Sequence, residues 1–148
     1  MRKPGPISIR AVRPGDRSAL ALVYQAAFSA EPSLEKWTLR ASDARVAEVL
    51  RSRHSAWVAC LYGQPVGFAF LATRVGHDGS YGELTELAVH PFFRRGGIGS
   101  RLWKIVKASR KKLKLKTIYT LVYRGKTENF FRKNGWKPSR RSLVMAVR

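Results

Sequence analysis

Residues 94–100, Arg-Arg-Gly-Gly-Ile-Gly-Ser, form the stretch of this chain best suited to hold an anion. An apolar run from Leu84 to Val89 precedes them and reads as a strand, ended by Pro91, which has no N–H to give a ladder. From Ile98 a helix is expected, with Leu102, Ile105, Val106 and Leu113 on one face and Arg101, Lys104, Lys107 and Lys111 on the other. A strand, glycine-rich turn and helix in that order aim backbone N–H groups and the positive helix end at one point, a site for a phosphate or pyrophosphate. Glycines let the backbone approach that anion closely. Two of the chain's nine acidic residues, Glu83 and Glu86, fall in the same strand region and are candidate proton acceptors. Their three-residue spacing places them on opposite faces of a regular strand.

The turn is neither of two common nucleotide loops. A P-loop closes on Lys followed by Ser or Thr, and here Ser100 and Arg101 stand instead. A dinucleotide fingerprint needs a third glycine where Leu102 sits, and it opens a longer βαβ series than the residues after Trp103 can supply. Arg94-Arg95-Gly96-Gly97-Ile98-Gly99 instead matches [QR]-x-x-G-x-[GA], the acyl-coenzyme-A signature of the GNAT N-acetyltransferase superfamily. Leu87-Ala-Val89-His-Pro91 resembles that family's strand, and Phe130-Phe-Arg-Lys-Asn-Gly-Trp136 resembles its later aromatic-x-x-x-Gly-aromatic segment.

The resemblance implies an α/β (α+β) fold: a mixed, mostly antiparallel sheet flanked by helices, with two central strands splayed apart to admit the acyl-thioester arm. Those strands would be Leu84–Val89 and Thr117–Tyr123. It implies acetyl-coenzyme A as cosubstrate and a primary amine as acceptor. Arg94, Arg95, Gly96, Gly97, Ile98, Gly99 and Ser100 would hold the pyrophosphate. Leu87, Ala88 and Val89 would pair with the pantetheine arm as an added strand does, and the N–H of Leu87 or Val89 would face the thioester oxygen. Phe131, counted with the cofactor-binding residues, holds the aromatic position at which many members carry a tyrosine acid; it has no hydroxyl, so Tyr123 and Tyr119 are the spare candidates. Glu83, eleven residues before Arg94, matches the base of the histone-type branch, and Glu86, eight before it, matches a carboxylate of many bacterial members. A bulge, which the family has near this point, would alter the facing of the two. An ordered water chain is the third route for the proton.

The elements that must position these residues read as β, α, α, β, β, β, α, β, α, β. Ile7–Val12 alternates as a first strand. Asp16 caps a helix to about Phe28, and Ser42 a second from Asp43 to Arg53. Ala56–Tyr62 and Pro65–Thr73 form a hairpin through Gly63-Gln64. Val75–Tyr81 reads as a loop, Thr117–Tyr123 as a strand, Lys126–Asn134 as a helix with Gly135 at its end, and Ser142–Val147 as a last strand. No linker or repeat interrupts residues 1–148, so a single domain is expected.

Composition bounds the rest. Cys60 is the one cysteine, which excludes an internal disulfide and a Cys-cluster metal site; it reads as a small core residue in a reducing, cytoplasmic setting. His54, His77 and His90 are dispersed and form no metal set, although His90 stands where it could touch substrate, and Trp37 falls in the loop where the family builds its acceptor pocket. No apolar run approaches the ~20 residues of a membrane span, and the N-terminus lacks the apolar core of a signal peptide. The net charge of +20 is lopsided: residues 87–148 hold 18 basic side chains and one acidic, Glu128. Such a field favours anions and disfavours polycations as acceptors. It also admits a nucleic-acid or acidic protein partner, and the second reading of the whole chain is a non-enzymatic RNA- or ribosome-binding module on the same scaffold. A monomer and a homodimer fit the sequence equally.

Overall fold

Large apolar side chains alternate along residues 64–76, and that pattern decides the architecture. Phe68 and Phe70 are fully buried on one face and Ala69 and Leu71 on the other, so this strand is covered on both sides. The computed structural model describes residues 6–52, 54–140 and 144–147. Its elements are β1 (Ile7–Ala11), α1 (Arg17–Ser29), α2 (Leu39–Arg51), β2 (Ser55–Leu61), β3 (Gln64–Gly76), β4 (Gly79–Val89), α3 (Ile98–Lys112), β5 (Leu115–Tyr119) and α4 (Lys126–Lys133). The sheet order follows the chain, β1 to β5. The first four strands are antiparallel, and β5 runs parallel to β4.

Helices cover both faces. On one, Leu20, Val23 and Tyr24 of α1 and Val46 and Val49 of α2 pack on Val58, Phe68, Phe70 and Ala88. On the other, Ile98, Leu102 and Val106 of α3 and Phe131 of α4 pack on Ala69, Leu71, Leu84 and Leu115. Leu102 and Val106 recur at the helical spacing read from the sequence, while Ile105, read as part of the same apolar face, is 39% exposed at its edge.

Several boundaries differ from the sequence reading. Thr38, not Ser42, caps α2: its Oγ1 accepts the Ala41 N–H at 3.1 Å, while Ser42 is buried and its hydroxyl donates to the Thr38 carbonyl. The first hairpin turns at Tyr62-Gly63, both at positive φ (50° and 77°), the pairing a two-residue turn with a right-handed twist requires. Residues 75–81 are not an open loop. β3 and β4 run on to a tight hairpin at His77-Asp78, where Asp78 accepts from the Tyr81 hydroxyl at 2.8 Å and pairs with Lys116 at 2.9 Å. β5 starts earlier and ends earlier than Thr117–Tyr123, because Leu115 is buried and because β4 diverges beyond Tyr119. Of the expected last strand, Ser142 and Leu143 lie outside the described residues, and residues 144–147 belong to no strand, with Val144 and Met145 exposed.

Candidate acyl-transfer site

The turn after β4 is built by backbone conformation and one arginine. The His90 N–H donates to the Val66 carbonyl at 2.8 Å, and the His90 ring accepts the Phe92 N–H, so His90 caps the single 3-10 turn Pro91–Phe93. Arg95 and Gly97 adopt left-handed φ of 67° and 78°. No side chain caps α3, and the first intrahelical bond runs from the Arg101 N–H to the Gly97 carbonyl at 3.0 Å. The N–H groups of Ile98, Gly99 and Ser100 therefore point out of the helix end unclaimed, the arrangement that binds phosphate. A Cβ on Gly97 would stand in open space, and one on Gly99 would meet the Phe130 ring at 3.3 Å. Gly97 thus supplies a conformation, while Gly99 admits the aromatic ring of α4.

Arg94 does not reach for an anion. Its Nε donates to the Val89 carbonyl at 3.0 Å, and its two terminal nitrogens donate to the carbonyls of Ala27 and Glu31. It ties the end of β4 to the last turn of α1, where a cation also suits the helix dipole. Of the two arginines expected to add charge to the turn, only Arg95 is exposed to do so.

Next to the turn the sheet opens. The β4–β5 pairing ends at Glu83 opposite Tyr119, with one further tie from the Thr120 hydroxyl to the Leu84 carbonyl at 2.8 Å. Because the His90 N–H faces β3, strand alternation turns the N–H groups of Leu87 and Val89 to the other side, toward the gap. Ala88 lies between them with its own backbone toward β3 and its side chain buried against α1. This is the splay expected from the resemblance, and it leaves a strand edge open beside an uncapped helix end.

The bulge is present. Glu86 pairs with Phe70 and Leu84 with Leu71, so Thr85 is the extra residue. It turns Leu84 toward α3 and puts Glu83 and Glu86 on the same face, toward α1 and α2. Glu83 therefore does not share a face with the side chains of Leu87 and Val89, which pack toward α3. Glu86 is 9% exposed, and its two oxygens take both Nε and a terminal nitrogen of Arg45 at 2.7 Å and the Tyr24 hydroxyl at 2.8 Å. Burial pushes the Glu86 carboxyl up, but the hydrogen bonds and charge of Arg45, with hydrogen bonds from Thr85 and Tyr24, outweigh it and hold the group below the usual carboxylate range. Burial and Glu86 together push the Tyr24 hydroxyl far up, so it stays a donor. Glu83 is more open, at 22% side-chain exposure, and Arg74 engages one of its oxygens, Oε2, at 2.7–2.8 Å. Sequence spacing gave no sign of Tyr24, Arg45 or Arg74, which lie on three other elements.

The aromatic candidates separate. Phe131 is buried in the core beneath α4, edge-on to Trp136, and Phe130 rather than Phe131 approaches the turn at Gly99. Tyr123 is 66% exposed beyond the end of β5, and Tyr119 is 42% exposed at the last paired position. Trp37 lies edge-on against Tyr24 with ring centroids 4.8 Å apart, and its indole N–H donates to Glu35. Cys60 is buried. Among the described residues no three His, Cys, Asp or Glu side chains gather as a metal site, and no helix is long and apolar enough to cross a membrane.

The open edge of β4 and the uncapped glycine turn lie next to each other on a mixed five-stranded sheet. Residues 52–138, more than half of the chain, match the acetyltransferase (GNAT) domain family, and the chain belongs to that family. Amino-acid acetyltransferase of Azotobacter vinelandii is 39% identical over 71 residues, which are 48% of this chain and 16% of that protein. The corresponding enzyme of Pseudomonas fluorescens (strain Pf0-1) is 37% identical over 71 residues, again 48% and 16%. The match thus spans about a sixth of the length of these relatives. Among solved structures, aminoglycoside N-acetyltransferase AAC(6')-Iy in complex with CoA superposes with a TM-score of 0.78 at 17% identity, over 100% of this chain and 99% of that one. Ribosomal-protein-alanine N-acetyltransferase from Brucella melitensis biovar Abortus 2308 gives 0.77 at 16%, over 96% and 100%. At these identities the likeness is one of fold.

Proposed function

We propose that residues 1–148, as one domain, transfer the acetyl group of acetyl-coenzyme A to the primary amine of a neutral or acidic acceptor. The observation that carries this reading is the continuity of the open β4 edge at Leu87 and Val89 with the unclaimed N–H groups at the α3 N-terminus. An acyl-coenzyme A presents an amide-bearing arm and a pyrophosphate in that order, and the cradle fits both. When bound, acetyl-coenzyme A supplies an acetyl group activated as a thioester. The N–H of Leu87 or Val89 would donate to the carbonyl oxygen, and one such donor contributes about 3–4 kcal/mol in the transition state.

Glu83 takes the proton of the acceptor ammonium. It sits at the mouth of the splay with Arg74 on one oxygen only. Glu86, closer along the strand, has its lone pairs committed to Arg45 and Tyr24. Four residues of strand separate Glu83 from Leu87, about 13 Å, so the proton travels through ordered water. Phe131 offers no acid, and Tyr123, exposed beyond the end of β5, is the candidate hydroxyl; solvent supplies the thiolate proton if Tyr123 does not.

Binding calorimetry with acetyl-coenzyme A checks the cradle. Gly97→Ala should cost about 1–2 kcal/mol of backbone strain and weaken acetyl-coenzyme A binding about tenfold or more while the domain stays folded; unchanged affinity contradicts the cradle. Acceptor choice is checked by turnover. Glu83 and Glu86 are each matched by an arginine, so the cluster leaves no net negative charge for a polycation, and the relatives named above act, by name, on amino acids. Acidic amino acids or peptides should be acetylated in preference to spermidine or kanamycin at low salt, and the reverse order contradicts the electrostatic argument.

A further inference from the structure

The outward face of α3 has no use in the acetyl-transfer reading. Leu102 and Val106 bury the opposite stripe, and Lys104, Lys107 and Lys111 project from the centre of the exposed one. At about 1.5 Å of rise per residue they stand about 4.5 and 6 Å apart along the axis. Lys112 in the last turn and Lys114 just past the helix end are exposed as well. Among the described residues none of these five lysines has an ion-pair partner, and α3 contains no acidic residue. Like charges at three- and four-residue spacing destabilise a helix. The helix dipole accounts for cations only in the last turn, which leaves Lys104 and Lys107 uncompensated among the described residues.

We propose that this face binds the phosphate backbone of a nucleic-acid duplex without reading its sequence. The heads presented are ammonium groups, which bind phosphate as point charges. The arginines of the same region are drawn off to backbone carbonyls, Arg101 to Ile7 and Arg110 to Lys116. Trp103 turns inward onto Trp136, so no aromatic ring on the face is free to stack an unpaired base. A membrane-surface helix would present its apolar stripe, and here that stripe is in the core. An acidic protein would be met by aromatic anchors, which the face lacks.

Fluorescence anisotropy with labelled DNA and RNA duplexes of about 20 base pairs, without acetyl-coenzyme A, tests this apart from any activity. Lys104→Gln/Lys107→Gln/Lys111→Gln should bind at least about tenfold more weakly near 0.1 M salt. Its slope of log Kobs against log salt should fall by about three, and that of Lys107→Gln alone by about one. Lys36→Gln/Arg40→Gln/Arg51→Gln, which removes the same charge from exposed positions elsewhere, should keep the wild-type slope. Preference between the two duplexes identifies which one is the natural source of the phosphates. Wild-type binding by the α3 variant, equal loss in the control variant, or displacement of both duplexes by polyglutamate or anionic vesicles of equal charge overturns the proposal.

Discussion

Glu83→Gln should lower kcat by about 100- to 10,000-fold, the contribution of a positioned base. The amide keeps the size and one acceptor oxygen of the carboxylate, so acetyl-coenzyme A should bind almost as before. An amine of lysine type arrives as ammonium, with a pKa of about 10.4, and cannot attack until a proton leaves. A base works only when ionised, so wild-type turnover falls on the acid side, and the variant should lack that limb of the pH–rate profile. Steady-state kinetics across pH, paired with calorimetry of acetyl-coenzyme A, checks all three. If folded Glu86→Gln loses turnover while Glu83→Gln keeps it, the two roles are exchanged. If both keep the acidic limb, neither carboxylate is the base, and the proton leaves by water or through His90.

Glu86→Ala should be the more damaging change for stability, by about 3–5 kcal/mol. It strips the Arg45 guanidinium of its bidentate partner and the Tyr24 hydroxyl of its acceptor inside the α1–α2 core. Arg45 also pairs with the more exposed Glu48, which softens the loss but cannot take its place in the core. Replacing both members, as in Glu86→Leu with Arg45→Met, should recover much of the loss, because an apolar pair leaves no buried charge. The same cluster sets an acid response. Glu86 has its folded pKa depressed, and so does Asp16 through Arg10, so each contributes stability that is present above the ordinary carboxylate range. That stability is lost as the pH falls through the folded values. Denaturant melts of the two single variants and the double variant at neutral and acid pH measure both effects. Additive losses in the double variant contradict the pairing.

The parts of this site that were legible in the sequence are local ones. Proline at 91, the glycine turn before α3 and most of the apolar spacing along α3 each act over one turn or less, and the strand end, turn and helix start fall where they were read. The splay became legible only through the family resemblance, since a strand run such as Thr117–Tyr123 looks the same whether or not its neighbour diverges. The bulge at Thr85 has no local signature, and it alone decides that Glu83 and Glu86 share a face. The Tyr24–Arg45–Glu86 cluster joins residues up to 62 apart in the chain, beyond any periodicity. Arg94 shows the limit from the other side: it matches the signature, yet its hydrogen bonds brace α1 against β4. A motif position names a residue type, while the partners that surround it determine what it does.

An acetyl thioester held along the open β4 edge and the α3 turn should be opened by an amine. Free-thiol release from acetyl-coenzyme A, followed across amino acids, peptide N-termini, lysine peptides, polyamines and aminoglycosides, tests it most directly. Release should depend on the amine, be fastest with neutral or acidic acceptors, and fall with both Gly97→Ala and Glu83→Gln. A folded protein that binds no acetyl-coenzyme A, or binds it and releases no thiol with any amine of the panel, would contradict it.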